Sequence, residues 1–312
     1  MIIVVQNQVA ESQKLVSSHG FNYGVKHFYA DQNNTLSNTL ESTLSIDRTR
    51  AEFLLNLGSI YVNGHRIDSK KGLDQPIPLG ALLRVHTTPR RHHCDYNWLE
   101  RIVYDHPDFI VLNKPSGIPS HASVDNIVEN SLTQTEHALN QSLFISHRLD
   151  SLTEGLIIYG KNKKFVQSFN DSLSKHQIQK KYVALTEKGP ALLQNKKQHL
   201  IHYMKPDPRA PKVIDHIAHP TWLMCELEIT QQRAFDADTW FMQINLLTGR
   251  THQIRTQLAF EGCSILGDQI YGSTRSVPGS ELGSRIALKA QEIRFTYEGK
   301  EFLFTLDEDF KF

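Results

Sequence analysis

Cysteine, surplus charge and long apolar runs are what this sequence has least of. Its three cysteines, Cys94, Cys225 and Cys263, are odd in number and far apart, with no Cys-x-x-Cys pair. That excludes a disulfide framework and a cysteine-based zinc site, and it suits a reducing compartment, the cytoplasm. His92, His93 and Cys94 are adjacent, and adjacent side chains diverge instead of converging on one ion, so no metal is expected. The 34 lysines and arginines barely outnumber the 33 aspartates and glutamates, for a net charge of +1. A chain that grips phosphate backbones over its whole surface would be strongly basic, so any nucleic-acid contact must be local. No apolar run approaches the ~20 residues needed to cross a bilayer, and no membrane partner is expected. Residues 1–9 are apolar but short and lack a basic start, so they read as a first strand and not as a secretory leader.

What is present is an ordinary globular composition, 39% hydrophobic and 21% charged over 312 residues. At ~150 residues per domain that is about two domains. Residues 34–92 read as a small separate α/β unit. Leu36, Leu40 and Leu44 line one helix face, with Asn34 or Thr35 as its cap. Asp47 caps a second helix that buries Phe53, Leu54 and Leu57 and stops at Gly58. Ile60-Tyr61-Val62 is a strand, Asn63-Gly64 a tight turn, and Leu82 to His86 a closing strand. The unit carries eight positive residues (Arg48, Arg50, Arg66, Lys70, Lys71, Arg84, Arg90, Arg91) against five negative. Residues 1–33 receive no assignment.

Residues 93–312 read as one larger unit. Arg101–Tyr104 and Phe109–Leu112 flank His106-Pro107-Asp108 as a hairpin. Gly155–Tyr159 is an apolar strand, and Phe165, Phe169 and Leu173 mark a helix. Further strands are expected at 181–186, 222–230, 240–247, 285–288 and 302–306. Strands dominate without a βαβ rhythm, which points to an α+β fold with a mixed, mostly antiparallel central sheet and flanking helices. There is no internal repeat.

Three segments carry candidate chemistry. In His147-Arg148-Leu149-Asp150, just before the Gly155 strand, a loop carboxylate can serve as a nucleophile. In isolation an ordinary surface Arg–Asp pair is the commoner meaning. In Thr248-Gly249-Arg250-Thr251-His252-Gln253-Ile254-Arg255, Thr251 is expected to cap a helix running to about Glu261. A cation in the first turn of a helix is disfavoured by the helix dipole, so Arg255 calls for an anionic partner. Lys180-Lys181-Tyr182 on a strand presents a tyrosine able to stack on a base, although a half-buried sheet tyrosine is the common case.

Together these segments closely resemble the RluA-type family of pseudouridine synthases. The match includes His147-Arg148-Leu149-Asp150 with Thr153 and Gly155, Lys180-x-Tyr182, the unbroken Thr248 to Arg255 run, Ile265-Leu266-Gly267-Asp268, Tyr271-Gly272, Asn113-Lys114-Pro115-Ser116-Gly117 and Ala287-Leu288-Lys289-Ala290. It spans about residues 99–308 in the family's order. One departure is Glu154, where the family usually has Ser; it is expected to point away from Asp150. The small unit, from Arg48 through Gly64, resembles the RNA-binding domain named after the fourth small-subunit ribosomal protein, with Ala81 where an acidic residue is usual.

The resemblance implies a pseudouridine synthase fold and an isomerase acting on uridines in structured RNA, ribosomal RNA ahead of transfer RNA, as a monomer without cofactor. It implies Asp150 as the catalytic group, attacking either sugar or base, Arg255 paired with it, and Tyr182 stacked on the base and assisting removal of the final proton. Arg148, Lys181, Arg250 and His252 would hold the substrate. Arg48, Arg50, Asn63, Lys70, Lys71, Arg90 and Arg91 would touch the RNA. Two other readings are a non-catalytic RNA-binding protein and a hydrolase using Asp150 with Glu154 as a carboxylate pair.

Overall fold

A computed structural model describes residues 24–187, 198–307 and 310. The chain forms two compact units. One comprises the residues up to His92 together with Ala122–Thr133, and the other His93–His121 with Gln134–Phe312. The strand expected over residues 1–9 lies outside the described residues.

In the small unit, β1 (Val25–Tyr29) precedes helices α1 (Leu36–Leu44) and α2 (Arg48–Asn56), then β2 (Ile60–Val62), β3 (His65–Arg66) and β4 (Leu82–His86). The sheet order is β1-β4-β2-β3. The Thr35 hydroxyl accepts from Asn38 N–H at 3.3 Å and the Asp47 carboxylate from Arg50 N–H at 2.7 Å, so both helices start at residues that satisfy orphan donors. Leu36, Leu40, Ala51 and Leu54 pack on Phe28, Ile60, Leu83 and Val85. Asn63 and Gly64 both take positive φ, 50° and 81°, as a tight hairpin between β2 and β3 requires.

Two boundaries differ from the sequence reading. β1 lies in the stretch left unassigned: it is too short to show alternation, and only pairing with β4 makes it a strand. Residues 122–133 belong to the small unit because their backbone supplies partners there. Ile127 N–H donates to Leu57 O at 2.9 Å, and the Ser59 and Tyr61 hydroxyls donate to Asp125 O and Val124 O at 2.6 and 2.8 Å. Contacts across more than sixty residues leave no local trace in a sequence.

The large unit is built on an eleven-stranded sheet among the described residues. Its main strands are β5 (Ile102–Asp105), β6 (Phe109–Lys114), β7 (Glu154–Gly160), β8 (Gln179–Glu187), β9 (Gln198–Met204), β10 (Leu223–Ala234), β11 (Thr239–Leu246), β12 (Leu288–Tyr297) and β13 (Lys300–Thr305), with helices α3 (Lys163–Ser174) and α4 (Gln253–Phe260). The order β9-β10-β11-β8-β12-β7-β6-β5 holds one parallel pair, β7 with β12, and β13 pairs β12 from outside that path. This is the expected mixed, mostly antiparallel α+β architecture. The strand expected at 285–288 instead begins at Leu288 and runs to Tyr297.

α3 lays Phe165 and Phe169 on Phe109 of β6 and Phe295 and Tyr297 of β12, with Phe109 and Phe165 rings 4.7 Å apart. Each buried ring contributes roughly 2–3 kcal/mol. That cluster fixes β6, β7 and β12, the strands that flank the loop carrying Asp150.

Candidate active site

Residues 146–153 cross from the short strand Phe144–Ile145 to β7 as an irregular loop pinned from several sides. The Ser146 hydroxyl donates to Ile158 O at 2.6 Å, and His147 Nε2 accepts from Ile158 N–H at 3.1 Å. Leu149 is buried; its N–H donates to Ser120 Oγ at 3.0 Å while that hydroxyl donates to Leu149 O at 2.7 Å. Lys114 is fully buried and gives its ammonium to Pro115 O, Ile118 O and Ser151 O at 2.9, 2.6 and 3.0 Å. The Ser116 hydroxyl donates to Leu152 O at 2.7 Å. Asp150 therefore sits between braced neighbours. Burial and Lys180 push the His147 ring down to about 3, so it stays neutral and keeps its lone pair for Ile158. Burial pulls Lys114 down to about 7, opposed by Asp150 and Glu154 nearby. Gly155 follows at φ 111°, where an added Cβ would lie 2.3 Å from Ala290 O. Only glycine permits that crossing of β7 and β12.

α4 supplies the opposing charge. Arg255, 3% exposed, forms a two-bond fork with Asp268 at 2.6 and 2.8 Å. Its remaining Nη1 points to Asp150 Oδ2 at 3.5 Å. The anionic partner that this helix position called for is thus Asp268 first and Asp150 second. Asp268 belongs to the Leu266-Gly267-Asp268 run, to which the sequence reading gave no role; nothing local tells a buried Asp from a turn Asp. Thr251 does not cap α4. His252 occupies that place with a left-handed backbone and no side-chain cap bond. Its Nδ1 is 2.9 Å from Tyr271 Oη and its Nε2 3.9 Å from Asp150 Oδ2.

Tyr182 is buried on β8, and both burial and the Asp150 charge raise its phenol. A phenol held protonated is a hydrogen-bond donor and a stacking surface. Pairing of β8 with β12 shifts register between Lys181 and Tyr182, a bulge of the kind that re-aims side chains. Lys181, expected to hold substrate, instead pairs with Glu292 at 2.9 Å. Lys180 is the lysine whose ammonium burial lowers, and an added Cβ at Gly249 would lie 3.3 Å from its Nζ. Glu154 pairs with Arg285 at 2.9 Å. A carboxylate tied into an ion pair is a poor general acid, which removes support from the hydrolase reading. Arg148 is exposed, and Arg250 reaches Met224 O at 3.5 Å.

Among the described residues, His202, His216 and Glu261 come close enough together for a cation. A chain of amides argues against one. Gln253 Nε2 donates to Glu226 O and to Gln257 Oε1, and Gln257 Nε2 then faces His202 Nδ1 at 2.9 Å. His202 Nε2 must carry the proton, which it gives to Glu261 at 2.9 Å, and it offers no electron pair.

The small unit keeps most of its cations at the surface, Arg84 being half-buried over the Tyr61 ring. Arg48 forms a fork with Asp74 at 3.0 and 3.1 Å, Arg91 binds Glu129 at 2.6 Å, and Arg50 donates to Thr87 O at 2.6 Å. Arg50 and Arg91 both lie over the Phe53 ring, at 4.7 and 4.8 Å. The Asn63 side chain accepts from Leu82 N–H at 2.9 Å, a turn role. Lys70 and Lys71 are exposed on a short helical turn, and Arg90 is exposed next to Arg91 in the chain.

Residues 108–260 match the family model described as RNA pseudouridylate synthase. A protein of Haemophilus influenzae named "Uncharacterized RNA pseudouridine synthase" is 31% identical over 204 residues, which cover 63% of this chain and 82% of that one. The chloroplastic RNA pseudouridine synthase 6 of Oryza sativa subsp. japonica is 30% identical over 286 residues, covering 73% of this chain and 58% of the relative. Its Arabidopsis thaliana counterpart is 32% identical over 216 residues, 62% of this chain and 45% of the relative. The chain thus spans about half the length of these plant proteins. Among solved structures, Human RNA Pseudouridylate Synthase Domain Containing 4 superposes with a TM-score of 0.53 at 20% identity, over 67% of this chain and 89% of that one. Human RNA Pseudouridylate Synthase Domain Containing 1 gives 0.51 at 21%, over 66% and 82%. At such identities the likeness is one of fold.

Proposed function

The chain belongs to the RNA pseudouridine synthase family, and from that premise we propose that it isomerises selected uridines of structured RNA to pseudouridine through Asp150. The observation that carries this reading is a half-buried loop carboxylate, 22% exposed, facing Arg255 at 3.5 Å while Arg255 is itself fixed by Asp268. A carboxylate so placed faces a fixed cation without being tied into a fork, so it keeps its freedom to react. The net change leaves the composition of the RNA unchanged. The N1–C1′ bond breaks, a C5–C1′ bond forms, and the proton lost at C5 is balanced by one gained at N1. Asp150 attacks either C1′ or the base; both routes restore the free carboxylate at the end.

The uridine must leave its stack to reach Asp150, at a cost of a few kcal/mol that is smallest in loops and distorted helices. Tyr182, kept protonated, offers the flipped base a ring face and a hydroxyl donor. Lys180, at the Gly249 backbone, and the exposed Arg148 and Arg250 are the candidate phosphate contacts of the large unit. In the small unit Lys70, Lys71 and Arg90 are the cations open to RNA, with Arg48 and Arg50 available by exchanging partners and the exposed Arg91 held on Glu129. Ribosomal RNA is proposed ahead of transfer RNA, because a separate basic unit suits a large folded RNA.

The test is a map of pseudouridines across total RNA from cells with the gene, without it, and with Asp150→Asn. Loss of a few discrete sites that the variant does not restore supports the reading and identifies the RNA. If no site changes while the purified chain still binds RNA, the non-catalytic reading takes its place.

A further inference from the structure

His252 stands between two arginines of one motif, and its sequence position suggests an RNA contact. Its surroundings assign it elsewhere. The residue sits at φ 59°, a left-handed conformation that costs a histidine of order 1–3 kcal/mol, and it makes no capping bond in return. The strained backbone turns the ring inward: Nδ1 lies 2.9 Å from Tyr271 Oη, and Nε2 lies 3.9 Å from Asp150 Oδ2. Tyr271 is fixed in turn. Its oxygen accepts Lys212 N–H at 3.0 Å, its ring meets His252 edge to face at 5.6 Å, and the Arg255 guanidinium lies over it at 5.1 Å.

The proton positions follow. With Tyr271 donating its hydroxyl proton to Nδ1, the imidazole carries its own proton on Nε2, aimed at Asp150. The opposite tautomer would set a lone pair of Nε2 against a carboxylate, which is repulsive. Burial, with Arg255 and Lys212 close by, holds the imidazole below its ordinary value despite Asp150 and Asp268. It is therefore a neutral donor, with one directed N–H.

Both donors address the same oxygen. Arg255 Nη1 and His252 Nε2 each face Oδ2 of Asp150, at 3.5 and 3.9 Å. That leaves Oδ1 as the oxygen open to the uridine. We propose that His252, with its tautomer set by Tyr271, is a positioning residue for Asp150: a second N–H donor on Oδ2 that closes to hydrogen-bond distance when RNA is bound. Catalytic hydrogen bonds are often long in the free enzyme and tighten in the complex. A neutral donor steers the carboxylate without adding a second full positive charge, which would weaken it as a nucleophile. The assignment rests on the reading of Asp150 given above.

The experiment compares the full chain with His252→Ala, His252→Gln and Tyr271→Phe on ribosomal and transfer RNA transcribed in vitro, which carry no pseudouridine. Single-turnover rates at saturating chain and RNA dissociation constants are both measured. Losing a donor to a charged group should slow His252→Ala about 10- to 100-fold with RNA affinity changed less than about twofold. Glutamine can place an amide N–H near the Nε2 position and should recover most of the rate; Tyr271→Phe should fall between. A weakened affinity with an unchanged saturated rate would make His252 an RNA contact and overturn the proposal. So would a glutamine variant as slow as alanine. If the unaltered chain forms no pseudouridine in either RNA, the reading of Asp150 fails and this assignment with it. Full activity of His252→Ala overturns this assignment alone.

Discussion

One arginine of each unit is held by a carboxylate, in opposite ways. In the small unit Arg48 meets Asp74 at the surface, with the side chains 56% and 74% exposed. Such pairs are screened by salt, exchange partners readily and contribute little to stability. In the large unit Arg255 is 3% exposed and Asp268 1%. A pair buried to that degree is costly to assemble and costlier to break, because removing one partner strands the other charge. The small unit thus offers a soft electrostatic surface able to swap a carboxylate for a phosphate. The large unit offers a rigid one, where a guanidinium is held for a single neighbour.

The contrast sets the order of expected effects. Asp268→Asn should have the largest: it leaves Arg255 without its fork partner at a cost of about 3–5 kcal/mol. Urea unfolding reads that loss. Single-turnover kinetics on the folded fraction should also slow, since Arg255 can swing onto Asp150. Should Asp268→Asn be as stable and as fast as the original chain, the rigid side of the comparison breaks. Lys114→Met comes next, with three backbone carbonyls losing their donor and a stability loss of about 3 kcal/mol. Activity should fall with it, because Ser151 O is one of the three.

A pH effect of about 1 kcal/mol per pH unit, from the linkage of proton binding to folding, is the third. His147 is pushed down to about 3 in the fold, against an ordinary value of 6.5. Above 6.5 neither folded nor unfolded chain binds the proton and stability is full. As pH falls from 6.5 toward 3 the unfolded chain takes it up alone, so stability drops by up to ~1.4 kcal/mol per unit. Carboxylates add their own acid losses, so the informative quantity is the slope between pH 6.5 and 5 against that of His147→Gln, which should be shallower. Equal slopes would mean the native ring accepts the proton.

The smallest effects belong to the surface. Lys70→Ala with Lys71→Ala should weaken RNA binding evenly across sequences and reduce the salt slope by about 0.9 for each phosphate no longer neutralised. Lys180→Ala should reduce affinity more than Lys181→Ala, because Lys181 already has Glu292. The reverse ranking would return Lys181 to the role its sequence position suggested.

Much of this was legible in the chain. The helix faces of the small unit, the Asp47 cap, the Asn63-Gly64 turn and the hairpin ahead of Lys114 are local patterns with local causes. The α+β class followed from strand signals without βαβ rhythm. Other features were not legible. The Val25–Tyr29 strand exists only through β4, and Ala122–Thr133 joins the small unit through bonds to residues between 35 and 70 positions away. The register shift at Lys181/Tyr182 arises between strands more than a hundred residues apart.

By itself the sequence determined the residue types that can do the chemistry, since periodicity, caps, turns and the order of motifs are encoded within a few residues of one another. It placed Asp150, Tyr182, Arg255 and His252 in candidate segments and called for an anion beside Arg255. The tertiary structure alone decided which anion that is and how the charges divide. Asp150 and Arg255 are 105 residues apart, and Asp268 lies 13 beyond Arg255. Electrostatic energy depends on distance and burial in space, and no local pattern carries either. The same reason makes Lys181 a partner of Glu292, ties Glu154 to Arg285, and aims His252 at Asp150.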